Sequence, residues 1–215
     1  MSTHDVVVID YGVGNLLSVS RGLEHCGAKV TVTADPKTIL AAARVILPGV
    51  GAFADAMAEF RRLGLDDVVL EVVSKGKPFL GICIGMQMLL DESEEFGVTP
   101  GLGLIPGRVV PVPSNTADGH TLKIPHIGWN NLLLSNGHES WEGTVLQEIN
   151  VGEEVYFVHS FMAIPNNPDH CIAKCIYGGN SVSATIGRDH IFGCQFHPEK
   201  SGEIGIKVLK RFLSL

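Results

Sequence analysis

Three side chains able to do nucleophilic chemistry stand in two short strings. Cys83 lies within Gly81-Ile82-Cys83-Ile84-Gly85, and His197 and Glu199 lie two apart within Gln195-Phe196-His197-Pro198-Glu199. A thiol nucleophile needs a base within hydrogen-bond reach, and the base needs a carboxylate to set its tautomer and hold its ring. Together the three residues hold the parts of a site that attacks a carbonyl carbon and expels a leaving group.

Each string implies the element that must carry it. The run from Pro78 to Ile82 predicts a strand and a helix begins near Ile84, so Cys83 occupies a strand-to-helix turn, the cysteine form of the nucleophile elbow. Glycine fits two residues to either side because strand and helix crowd such a turn. A thiol at a helix N-terminus also faces the positive end of the helix dipole, which favours the thiolate. The N–H of Ile84 can bind a developing oxyanion. Taken alone, the turn fits a buried small hydrophobe equally well. The second string follows a predicted strand from Ile191 to Phe196. In extended chain, residues i and i+2 project to one side, so His197 and Glu199 point together with Pro198 stiffening the joint. An isolated H-P-E also fits a surface turn.

The remaining chain reads as a scaffold for these turns. Apolar runs at Val6 to Asp10, Lys29 to Thr33 and Val45 to Leu47 alternate with helical patterns at Leu16 to His25 and Pro36 to Ala42. That βαβα rhythm implies a parallel sheet wrapped by helices. A longer helical stretch, from Ala54 to Ser74, is interrupted by Gly64. From about Gly97 short strands separated by Gly, Pro and Asn follow, either joining the same sheet or forming a small second one. A helix from Gly202 to Leu213 closes the chain. Gly12-Val13-Gly14 is half a dinucleotide fingerprint without its third glycine, which leaves Asn15 as a helix cap or a contact residue. The glycines of Pro48-Gly49-Val50-Gly51 lack the P-loop pattern, so a phosphate role is discounted.

Bulk properties narrow the function classes. The chain has 215 residues, 45% of them hydrophobic, enough for one domain over 1–215 with a substantial core. A formal charge of −7 without a run of Lys or Arg argues against nucleic acid and anionic lipid. No apolar run suits a membrane span or a signal peptide, so a cytoplasmic location is expected. Five cysteines, an odd number, make a disulfide framework an unsuitable reading. Cys171 and Cys175 lack a second ligand pair, so no metal site is expected.

The two strings, together with Pro48-Gly49-Val50-Gly51, Pro125-His126-Ile127-Gly128-Trp129-Asn130 and Tyr156-Phe157-Val158-His159-Ser160, closely resemble the class I, triad-type glutamine amidotransferases. The likeness extends over nearly the whole chain. It implies that family's three-layer α/β fold, a central mostly parallel sheet with flanking helices and a small additional β-sheet. It also implies Cys83 as nucleophile, His197 as general acid/base and Glu199 as its orienter. Gly49, Val50 and Gly51 would supply the second oxyanion donor beside Ile84, and Gln87, with backbone groups of Ser160 and Phe161, would hold glutamine. No cofactor is implied. The ammonia would pass to a partner, either a (β/α)8-barrel cyclase bound as a heterodimer in histidine biosynthesis or a surface-sugar amidation enzyme. Asn15, Trp129 and Tyr156 would lie at or near that contact, although Trp129 and Tyr156 fit an ordinary core equally well.

Overall fold

The computed structural model describes residues 5–135 and 137–215. Its first half follows the βαβα rhythm: β1 (Asp5–Ile9), α1 (Leu16–His25), β2 (Lys29–Thr33), α2 (Pro36–Ala41), β3 (Val45–Gly49), α3 (Phe53–Arg62), α4 (Leu65–Ser74) and β4 (Phe79–Cys83). Local chemistry sets several boundaries. Asp35 caps α2 by accepting from the Thr38 N–H at 2.9 Å, with Pro36 in the first turn. Gly64, at φ 65°, takes the left-handed backbone that divides α3 from α4. Strands β3 and β4 are buried along their whole length, as strands covered on both faces must be.

A single helical turn, α5 (Ile84–Gln87), follows Cys83. The chain then forms β5 (Glu92–Ser93), β6 (Thr99–Pro100), β7 (Gly107–Pro111), β8 (His126–Asn131), β9 (Leu133–Leu134), β10 (Glu154–His159) and β11 (Phe161–Pro165). It returns to the main sheet through β12 (Cys171–Tyr177), β13 (Asn180–Arg188) and β14 (Ile191–Cys194), and ends in α6 (Gly202–Ser214).

The main sheet has eight strands in the order β2-β1-β3-β4-β14-β13-β12-β9. Its interfaces from β2 to β14 are parallel, and those from β14 to β9 are antiparallel. Helices flank it, α1 packing on α6 and α4 on both α2 and α3. The fold is therefore α/β with a mixed sheet. Where one small additional sheet is expected, two are present, the pair β10-β8 and the four-stranded β11-β7-β5-β6. Strands of the second half thus divide between extending the main sheet and standing apart from it. The parallel interface of β4 with β14, at the middle of the sheet, aligns their carboxyl ends, so Cys83 and the segment after Cys194 emerge side by side.

Candidate active site

Cys83 has φ 56° and ψ −111°, a backbone conformation that glycine adopts readily and residues with a Cβ rarely do. The surrounding glycines make it possible. A Cβ on Gly81 would stand 2.4 Å from the Gly85 carbonyl oxygen, and one on Gly85 would stand 1.8 Å from that of Leu47. A Cβ on Gly49 would meet the Tyr11 hydroxyl at 2.6 Å. The helix after the elbow is one turn long, which corrects the expected dipole contribution: four residues align too few peptides for a large macrodipole. The local N–H groups of that turn, with no helical partner, are the polar feature that remains.

His197 and Glu199 meet, by a route other than the one expected. Residues Pro198–Lys200 form a 3-10 turn, because Pro198 suits the first helical position and ends the extended chain. Across that turn His197 Nδ1 lies 2.8 Å from Glu199 Oε1, and both side chains are almost fully buried. Ser201, unremarked in the sequence, holds the turn in place. Its hydroxyl donates to the His197 carbonyl at 2.7 Å and accepts from the Tyr156 N–H at 3.0 Å. The His197 N–H donates in turn to the Tyr156 carbonyl, so strand β10 clamps the base from two sides.

Burial of His197 disfavours its charged form, but hydrogen bonding with Cys83 and Glu199 and their negative charges outweigh it and raise the pKa to about 9. Nε2, the nitrogen left after Nδ1 bonds Glu199, closes no hydrogen bond of good geometry among the described residues. It is a buried ring atom available to the Cys83 sulfur or to a bound ligand. Burial pushes Cys175 up to about 12 and Cys194 higher still, which leaves both as inert packing.

A cavity of about 380 Å³ opens over the elbow. Cys83, His197, Ile84, Gln87, Ser160 and Phe161 line it, as do Val50 and Gly51. Gly49, opposite Cys83 in the β3–β4 register, and Glu199, bonded to His197, do not line it. Gln87 Nε2 donates to the Phe161 carbonyl at 3.1 Å and to Gln195 Oε1 at 2.9 Å, leaving its own Oε1 buried and unpaired. A ligand N–H entering the cavity would satisfy that acceptor.

For several residues at or behind the cavity wall the sequence suggested no separate role. Glu95, buried, accepts from the Phe53 N–H at 2.6 Å and shares the cavity wall with Lys200 and His159. Gln195, wholly buried, donates its amide to Cys83 Sγ at 3.8 Å. Its place beside His197 in the second string was the available signal.

Asn15, Trp129 and Tyr156 do not line the cavity. Asn15 is the N-cap residue of α1, its carbonyl accepting from the Val19 N–H at 3.1 Å, although its side chain makes no capping hydrogen bond. Trp129 is 55% exposed, against the core reading, and meets half-buried Tyr156 edge-on at 6.1 Å between ring centroids. Ile127, on the same side of β8 as Trp129, is 54% exposed. Among the described residues no group of three or more His, Cys, Asp or Glu is placed to hold a metal ion, and no helix is long and apolar enough to cross a membrane.

An elbow thiol, a histidine held by a carboxylate and a cavity with unpaired polar groups, set on an α/β sheet, are the parts of a site that attacks a carbonyl carbon. The chain belongs to the class-I glutamine amidotransferase family, whose pattern it matches over residues 7–214. It is 50% identical over 210 residues to imidazole glycerol phosphate synthase subunit HisH 1 of Legionella pneumophila (strain Lens), covering 98% of this chain and 99% of that one. To the HisH subunit of Geobacillus sp. (strain WCH70) it is 49% identical, covering 97% and 95%. Among solved structures, PurLQS from Thermotoga maritima superposes with a TM-score of 0.69 at 19% identity, covering 98% of each chain. The glutaminase domain of Trypanosoma brucei CTPS superposes at 0.62 and 14% identity, covering 98% and 91%. At such identities the structures share the fold alone.

Proposed function

We propose that this chain is the glutaminase subunit of imidazole glycerol phosphate synthase, a single cytoplasmic amidotransferase domain over 1–215 that uses Cys83, His197 and Glu199 as its catalytic triad. The observation that carries the assignment is the convergence of the elbow thiol and the 2.8 Å His197–Glu199 pair at one cavity. Likeness to synthase subunits over nearly the full length favours histidine biosynthesis over surface-sugar amidation as the destination of the ammonia.

The Cys83 thiolate attacks the side-chain amide carbon of glutamine, and the carbonyl electrons move to oxygen. The N–H of Ile84 and one from the Gly49-Val50-Gly51 loop receive that oxyanion. His197 gives its proton to the departing nitrogen, releasing ammonia and leaving a γ-glutamyl thioester. Water then attacks the thioester, His197 takes its proton, and glutamate leaves as the thiolate returns. Glu199 holds the ring with Nε2 toward sulfur throughout. Glu95 and Lys200 on the cavity wall match the ammonium and carboxylate of the amino-acid head, while Gln87 and the Ser160–Phe161 backbone hold the rest.

Ammonia at neutral pH is mostly ammonium, which is not nucleophilic, so a dry route to the acceptor site is required. The partner is a (β/α)8-barrel cyclase, bound as a heterodimer over the side carrying Asn15, Trp129 and Tyr156. The exposed Ile127 and Trp129 supply apolar anchors for it. Glutamate release by the chain with its cyclase partner tests the assignment, with the isolated chain expected to be slow. Cys83→Ala should abolish release while leaving the complex intact. Release that survives this substitution would refute the triad.

A further inference from the structure

Two buried histidines outside the triad form a hydrogen-bonded chain whose every proton can be placed. His126 on β8 and His159 on β10 are directly opposed in the strand register, and His126 Nδ1 lies 3.0 Å from His159 Nε2. Asn130 fixes the sense of that bond. Its Oδ1 accepts from the Asn131 N–H at 2.8 Å, and its Nδ2 donates to the Ile176 carbonyl at 3.0 Å, which settles the amide orientation. The second hydrogen on Nδ2 therefore faces His126 Nε2, at 3.3 Å, and that nitrogen accepts.

With Nε2 accepting, a neutral His126 carries its proton on Nδ1 and donates to His159 Nε2. His159 then carries its own on Nδ1 and donates to the Phe161 carbonyl at 2.8 Å. That same carbonyl accepts from Gln87, which donates onward to Gln195, whose amide reaches Cys83 Sγ. One backbone oxygen on the cavity wall is thus gripped from both sides, by the histidine chain and by the glutamine that leads to the nucleophile.

We propose that His126 and His159 are positioning residues for glutamine binding, a neutral pair that fixes the Phe161 carbonyl and, through Gln87, the wall that receives the substrate. The inference rests on the glutaminase reading of the site. The chain exists only while both rings are neutral, since protonating either one sets two donors face to face. The surroundings favour that state. Burial holds His126 down to about 4 and, with the charges of His126 and His197 opposing a bond to Phe161, does the same for His159. The titratable groups facing the pair are Tyr177, stacked on His126 at 4.1 Å, and His197; Glu95 and Lys200 share the cavity wall with His159.

The test compares three variants of the chain in its cyclase complex by steady-state glutamine hydrolysis and thermal unfolding. His159→Phe keeps a ring but removes both nitrogens, and should raise KM for glutamine about tenfold, the worth of one or two lost hydrogen bonds, with a smaller change in kcat. His159→Gln, which can accept at one end and donate at the other, should recover most of that loss. The double variant His126→Gln with His159→Gln cannot gain a proton, so its KM should stay flat from pH 7 toward pH 4 while that of the parent rises. A folded His159→Phe protein with parental KM would overturn the proposal. Parallel KM profiles for the double variant and parent would overturn the neutral pair. If the parent complex released no glutamate, the glutaminase reading would fail instead, a distinguishable outcome.

Discussion

Two buried histidine sites within one molecule are driven in opposite directions. His197 is raised to about 9, whereas His126 and His159 are lowered to about 4, although all three rings are almost wholly inside. Burial acts the same way on each, against the imidazolium. What differs is company: His197 touches a buried carboxylate and a thiol, while the His126–His159 pair meets an amide and a carbonyl. A site that must move a proton is built with an anion beside the ring. A site that must hold still is built from neutral dipoles.

The comparison breaks most visibly if the anion is removed. Glu199→Gln should lower kcat for glutamine on the order of ten-thousandfold, as the same change of the orienting carboxylate does in other triads, while shifting the His197 pKa downward. Because the folded value lies above the ordinary 6.5, the stability it lends is fully present below that pH and fades as pH rises through about 9. Unfolding curves against pH should show this decline in the parent and a shallower one in Glu199→Gln, where Cys83 alone is left to raise the ring.

The reverse experiment brings an anion to the neutral pair. In Asn130→Asp the carboxylate cannot donate to His126 Nε2, so the ring must either gain a proton there, which keeps its Nδ1 donating to His159, or exchange tautomer, which breaks the chain to Phe161. The expected result is a higher His126 pKa, read by NMR titration, with KM for glutamine near the parental value where that ring is charged and raised several-fold, up to about tenfold, at higher pH where it is neutral and has exchanged tautomer. A His126 that still titrates near 4 in that variant would remove the basis of the comparison. A smaller effect is expected at Ser201, whose hydroxyl bonds both the His197 carbonyl and the Tyr156 N–H. Ser201→Ala should cost about 1–3 kcal/mol of stability in denaturant melts and leave the His126–His159 pair untouched.

The two sites also differ in how far they could be read from sequence. Cys83, His197 and Glu199 announce themselves because each sits in a short string whose glycines or proline state the backbone it needs. The alternating elements of the first half were legible for a similar reason, since a buried parallel strand is a continuous apolar run. By contrast, the Gln195 amide reaches Cys83 across 112 positions, and the partner of His126 is set by a strand register 33 positions away. Both histidines stood within the strings that carried the family likeness, but nothing local says that two strands will oppose them. The brevity of α5 was hidden too, because the apolar residues that follow it fit a longer helix equally well.

The backbone of Cys83 carries one more implication. At φ 56° and ψ −111° a side chain is unwelcome, and glycine would occupy the position at lower energy. Cys83→Gly should therefore fold into a chain at least as stable as the parent, and incapable of turnover. Drift toward robustness and the survival of the activity pull in opposite directions at this single residue. A lineage that ceased to need the ammonia would be expected to surrender this cysteine early, with little penalty to the abundance of the protein.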